Sequence, residues 1–379
     1  MPECPSCLNK SFEKLIDFGI APKSGICLSN PQEKFNSLRV YFEFCTNCAL
    51  IRRIPFEKEP GNYSNIERVT GNQLPKYTPL IIDSLDKKTD NFIIEVGSND
   101  GTFLDCLKNA GFKNLLGIEP SIECSKRCKS KGHRTENVHF NNNESLRIKN
   151  LYGSADIIIC RQTIEHVPNP LDFLESIGHL LKNEGTFFLE VPDSYGIIYR
   201  NYGYELWERH VHYFSEKNLE ILVKRTGFKV NRKLVLQHLQ GKNILMWANK
   251  SNKIDDVYHD FTQDISSCSY FEINWRNFSA KFAKEIKKLK KPIAGIGASH
   301  PQSNFFMFTN TGEHLSYLID DNPDKKNLYM PLPQPVKIIP TSELPEDISI
   351  VRTAFGYNSW MDKICARINS QRIIDPYAY

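Results

Sequence analysis

Between Leu206 and Ser215 the chain reads LWERHVHYFS, which gathers two histidines, a glutamate, an arginine, a tryptophan and a tyrosine into one short segment. Histidine is the side chain whose ordinary pKa lies nearest neutrality, so this segment, His210 included, can hold a general base if it lines a pocket. On a packed surface turn the same residues do no chemistry. His212 falls two residues on and frames the same turn, and a third histidine, His166, sits in IEHVPNP. Farther towards the start, EVGSNDG places Glu95 at a strand end and Gly97, Asn99, Asp100 and Gly101 in the following turn, where glycine lets a ligand approach the backbone. GIEPS ends the next strand on Glu119.

The acids define what such a glycine turn binds. Carboxylates repel a pyrophosphate but suit ribose hydroxyls and a cation, so the ligand that fits is a nucleoside carrying positive charge, such as S-adenosylmethionine. A nicotinamide dehydrogenase fits less well, because the turn lacks the GxGxxG form and carries Asp100 where phosphate would lie. The thiols form a separate group. Cys4 with Cys7 and Cys45 with Cys48 are two CxxC pairs, and two such turns complete the tetrahedron that zinc prefers. Four thiolates leave no open position, so the expected zinc is structural; four unliganded thiols or one redox pair are the alternatives. Cys124 and Cys128 are read as ordinary helix residues, and the remaining cysteines as apolar fillers.

These residues need elements to hold them. The chain has 379 residues, more than one core usually serves, and two or three domains are expected. Residues 1–75 read as a loop-rich zinc-binding module. Residues 76–250 alternate strand and helix, which predicts a Rossmann-like parallel sheet covered by helices on both faces. A helix from Pro170 to Leu181 and a strand from Lys229 to Val235 belong to this pattern. Residues 251–379 begin with a long lysine-rich helix and continue as a smaller α/β domain, where Gly295 and Gly297 allow either a nucleotide or tight packing. The fold class is therefore α/β, with a central Rossmann-like domain between two smaller units. A formal charge of +4 without a long basic tract gives no support for nucleic-acid or membrane-surface partners. The start, MPECPSC, lacks a basic region followed by an apolar run, and the expected location is the cytoplasm.

With strand, glycine turn, helix, strand and acid in this order, the chain resembles the class I methyltransferases that C-methylate nucleotide-linked ketosugars. The resemblance rests on the two CxxC pairs, EVGSNDGTFL, the His210 segment and GIGAS, in that order along nearly the whole chain. It implies that the central domain binds S-adenosylmethionine and that a nucleotide-linked sugar lies in a cleft against the other domains, with the C-terminal domain taking the nucleotide. It further implies that His210 is the base that removes a proton next to a ketone, that His166 assists the enolate oxygen, and that Tyr63 faces the sugar. Two positions depart from the family segment, which reads tyrosine, any residue, glutamate, histidine. Here Trp207 replaces the phenol and Arg209 the carboxylate, with Glu208 a neighbouring acid. A guanidinium in the pocket depresses the pKa of His210 and is suited to hold an enolate or an acidic sugar. O- or N-methylation of a glycan precursor and a non-catalytic zinc-bearing scaffold are the competing readings. The sugar, the nucleotide and the oligomeric state are not legible.

Overall fold

The computed structural model describes residues 3–23, 26–54, 74–86, 88–238, 241–251, 258–368 and 372–377. The first sheet contains β1 (Phe12–Pro22), β2 (Ser37–Cys45) and β3 (Ile51–Arg53), paired antiparallel. The CxxC turns flank it, one before β1 and one between β2 and β3. They share a geometry: Leu8 N donates to Cys4 O at 2.8 Å and Ala49 N to Cys45 O at 2.9 Å, and Leu8 and Ala49 both adopt positive φ.

The central unit runs α1 (Thr78–Asp83), β4 (Phe92–Val96), α2 (Thr102–Asn109), β5 (Asn114–Ile118), α3 (Ile122–Ser130), β6 (Thr135–Glu136), α4 (Asn142–Tyr152), β7 (Ala155–Arg161), α5 (Pro170–Leu180) and β8 (Leu181–Pro192). It continues with α6 (Tyr195–Arg200), β9 (His212–Tyr213), α7 (Glu216–Arg225), β10 (Phe228–His238) and β11 (Gly241–Lys250). Its sheet has the order β10-β11-β8-β7-β4-β5-β6. All five residues of β4 are buried, as expected for a strand covered on both faces. The sheet is not wholly parallel, however. β11 runs antiparallel to β8 and β10 antiparallel to β11. His238 and Gly241 close a hairpin, and so short a connection excludes the crossover that parallel strands need.

A 25-residue helix, α8 (Thr262–Ile286), leads into the last unit. There β12 (Ile293–Ile296), α9 (His300–Phe308), β13 (Tyr317–Ile319), β14 (Tyr329–Met330), β15 (Val336–Ile339), β16 (Ser349–Val351), α10 (Asn358–Cys365) and β17 (Ile373–Ile374) build a sheet ordered β14-β15-β13-β12-β16-β17. Its first strand, β12, lies between β13 and β16. The loop after β12 therefore opens at the point where strand order reverses, the position at which such sheets present ligand-binding loops. The predicted α/β class with an N-terminal cysteine module and an extra C-terminal α/β region is the architecture found. Among the described residues no helix is long and apolar enough to cross a membrane.

β9 belongs to another sheet than its neighbours in sequence. Tyr213 pairs with Ile51 and His212 with Arg52, so this two-residue strand completes the N-terminal sheet as β1-β2-β3-β9. One apolar core joins Phe42 and Ile51 of the first sheet, Leu206 and Tyr213, Trp275 of α8, and Phe305 of α9. The segment around His210 thus rests on all three units, whereas the two faces of the central sheet pack in separate cores, one of which also takes in Cys4, Cys45, Cys48 and Leu50 of the N-terminal module.

Candidate active site

On the side expected to take the cofactor, the ends of β4 and β5 converge. Gly97 has φ +81° and Gly101, which caps α2, has φ +80°, a region that disfavours side chains. A Cβ on Gly97 would lie 2.1 Å from Thr163 Oγ1, and one on Gly101 would lie 2.7 Å from Cys128 Sγ. Protein atoms therefore already require glycine at both positions. Glu119 closes the turn: its Oε2 accepts from Asn99 N at 2.9 Å and its Oε1 from Ser121 N at 2.8 Å. Each carboxylate oxygen keeps a second lone pair for a ribose hydroxyl. Asp100 turns inward, accepting from Thr102 at 2.8 Å and from Lys131 Nζ at 3.0 Å. Glu95 is buried and has one oxygen without a hydrogen-bond partner, as does the hydroxyl of Ser98. Burial pushes the Glu95 carboxyl up to about 8, against the pull of the Arg161 guanidinium. Orphaned polar atoms beside a glycine turn fit a ligand rich in hydroxyl and ammonium groups.

On the side expected to face the acceptor, His166 and His210 meet, with ring centroids 4.7 Å apart in an edge-to-face arrangement. His166 stands on a short 3-10 turn, Ile164–His166, directly before α5, whose first residue is Pro170 and whose cap is Asn169. Its Nδ1 lies 3.0 Å from the carbonyl oxygen of Arg209. A carbonyl only accepts, so Nδ1 carries the proton and Nε2 keeps its lone pair in the neutral ring. Burial holds His166 down to about 4, and Arg209 adds to the effect. His210 is held well below its ordinary value by burial, then by His166 and His300. His210 is lowered as expected, but by burial and the neighbouring histidines and not by Arg209, whose charge acts on His166 instead.

The remaining parts come from distant elements. Tyr213 accepts from Trp207 N and donates to Trp207 O at 2.9 Å, which fixes the turn that carries Glu208, Arg209 and His210. The Trp207 indole stacks on His300 of α9 at 4.3 Å, and its Nε1 is buried without a partner. Asn304 of α9 donates to Leu206 O at 2.9 Å. Val211 N donates to Glu165 O at 2.7 Å, and Arg53 N to Val211 O at 2.9 Å. After the segment, α7 opens with a capping box between Ser215 and Asn218, and Asn218 Nδ2 also donates to Cys48 O at 3.2 Å. The cysteine turn and the histidine segment are thereby fastened to one helix end.

Glu208 is buried, with Oε1 3.9 Å from Arg209 Nε. The carboxylate that stands beside the two histidines is another, Glu165: its oxygen and a ring nitrogen of each histidine lie within 4.8 Å of one another. Burial pushes Glu165 up to about 8, and neither of its oxygens has a hydrogen-bond partner. Sequence reasoning passed over Glu165, although its position next to His166 on one turn was the available signal. Tyr63 lies outside the described residues.

The four cysteine sulfurs of the N-terminal module lie within 4.8 Å of one another, with Cys4 to Cys48 and Cys7 to Cys45 both at 3.5 Å. Sulfurs on a zinc ion bonded at about 2.3 Å stand roughly 3.8 Å apart, so the quartet fits a tetrahedral metal.

A family described as a methyltransferase domain matches residues 66–233. Over 236 residues the chain is 24% identical to the C-methyltransferase NovU of Streptomyces niveus, a match covering 60% of this chain and 56% of that protein. It is 30% identical over 105 residues to the ubiquinone biosynthesis O-methyltransferase of Haemophilus ducreyi, covering 26% of this chain and 43% of that enzyme. The chain spans about half the length of these curated relatives. The magnesium protoporphyrin IX methyltransferase of Synechocystis PCC 6803, solved with bound SAM, is 13% identical and aligns with a TM-score of 0.37, covering 52% of this chain and 88% of that one. The central unit thus carries the match to a methyltransferase domain.

Proposed function

We propose that the protein methylates carbon in a nucleotide-linked ketosugar. The observation that carries this reading is the pair of neutral, partly enclosed imidazoles, His166 and His210, set where three units meet next to the cofactor side. Carbon becomes nucleophilic only when a C–H beside the ketone loses its proton, and a neutral imidazole is the group to take it. His210 accepts that proton. His166, with Nδ1–H held by the Arg209 carbonyl, presents Nε2 as a further acceptor, so it relays the proton and does not donate to the enolate oxygen. The Trp207 indole N–H, a donor only and without a partner, takes the role of stabilising that oxygen. S-adenosylmethionine, when bound, supplies a methyl group already activated on a sulfonium. Glu119 and the Gly97–Gly101 turn hold the nucleoside, and the loop after β12 receives the nucleotide of the sugar. Zinc on Cys4, Cys7, Cys45 and Cys48 is structural and keeps β3 in place for β9.

The test is to incubate the protein with methyl-labelled S-adenosylmethionine and nucleotide sugars, 4-keto forms included, and to record the carbon–proton spectrum of the product. A new methyl bonded to carbon is expected. A methyl on oxygen or nitrogen would replace this reading with heteroatom methylation, and the absence of both cofactor binding and transfer would favour a scaffold.

A further inference from the structure

Glu165 has no task in that chemistry, and its setting calls for one. It is 1% exposed, neither carboxylate oxygen has a hydrogen-bond partner, and a buried polar group left unpaired is costly. Its oxygen and one nitrogen each of His166 and His210 lie within 4.8 Å of one another. No hydrogen bond joins the carboxyl to either ring. That spacing is compatible with ligands sharing one ion, which stand about 3.0–4.2 Å apart for bonds of about 2.1 Å. His166 already has the outer support typical of a metal ligand, since its Nδ1 donates to the Arg209 carbonyl. The Arg209 charge is partly offset by Glu208, whose oxygen lies 3.9 Å from Nε.

We infer that Glu165, His166 and His210 form a divalent-cation site, distinct from the four thiolates and suited by its two nitrogens and one oxygen to Zn2+ or Co2+. Three protein ligands leave a coordination position open to water. The site has a consequence for turnover that rests on the proposed role of the two histidines. An ion here occupies the lone pairs that proton removal needs, so the cation and methyl transfer exclude one another.

Titration of the full-length, zinc-loaded protein with Co2+, followed by visible absorption, tests the site without any substrate. One added Co2+ per chain is expected, with ligand-field bands of nitrogen and oxygen coordination and no thiolate charge-transfer. Glu165→Gln and His210→Asn are each expected to weaken it at least about tenfold. Thermal melting establishes that both variants are folded, and Glu165→Asp, expected to retain part of the affinity, substitutes for a variant that is not. Absence of the added bands, or bands of equal affinity in the variants, overturns the site. Binding of Co2+ by a protein that methylates no ketosugar would leave the site standing and defeat the ketosugar reading. Methyl transfer without Co2+ binding would defeat the site alone.

Discussion

The cofactor side and the acceptor side are built in opposite ways. The first is made by two adjacent strand ends of one sheet, β4 and β5, and Glu119 fastens the glycine turn through backbone amides only a short distance away in sequence. The second is assembled from pieces far apart: β9 paired with β3, the turn before α5, and His300 and Asn304 from α9. A site made from one sheet inherits that sheet's rigidity. A site made from three units exists only while all three are docked, so under the proposed function proton removal depends on the integrity of the whole chain while nucleoside binding stays local.

Variants that separate the two sides probe this difference. The largest effect is expected for His210→Ala, which should lower turnover by about 10²–10⁴-fold with S-adenosylmethionine affinity unchanged by calorimetry. Loss of affinity in parallel would mean that the two sides are one unit. Next is Cys45→Ser, which removes a thiolate. Metal content should fall, hydrogen exchange at residues 51–53 and 212–213 should rise, and turnover should collapse while the cofactor still binds. Gly97→Ala attacks the other side. The positive φ and the approach to Thr163 predict a stability loss of roughly 1–3 kcal/mol in chemical denaturation and weaker cofactor binding. Thr163→Ala in the same chain should recover only part of it, since the backbone strain remains. Asn304→Ala, which frees the Leu206 carbonyl, should raise the KM for the acceptor and cost about 1–3 kcal/mol without touching the cofactor.

The smallest expected effect is one of pH. His166 titrates at about 4 in the folded protein against 6.5 for an ordinary histidine, so the unfolded chain binds more protons between these values. Stability should therefore fall as pH drops from about 6.5 to 4, and His166→Asn should flatten the slope of melting temperature against pH. With His210 also held well below its ordinary value, the acid limb of kcat should lie well below 6.5.

What was legible in the sequence follows the same division. EVGSNDG and Glu119 could be read because a strand, a turn and the next strand are contiguous, and the paired CxxC turns because each is local. The β10–β11 hairpin was missed as a reversal of direction, since a strand's apolar pattern does not encode which way it runs. β9 was invisible because two residues carry no period, yet it is what places His210. Arg209 was expected to act through its charge on His210, and it does hold His166 down electrostatically. Its direct contact there is the carbonyl, which no side-chain pattern announces. Glu165 stood in plain view beside His166, but its isolation from hydrogen-bond partners is a property of the packed interior.

The central claim is that the acceptor side breaks a C–H bond that the cofactor side then methylates. It is tested most directly by supplying a 4-ketosugar nucleotide deuterated at the carbon beside the ketone and weighing the methylated product. The account predicts a product that has exchanged one deuterium for the methyl group, with formation abolished in His210→Ala. A methylated product that retains every deuterium would contradict it, because the methyl would then have gone to an atom that needed no carbon acid.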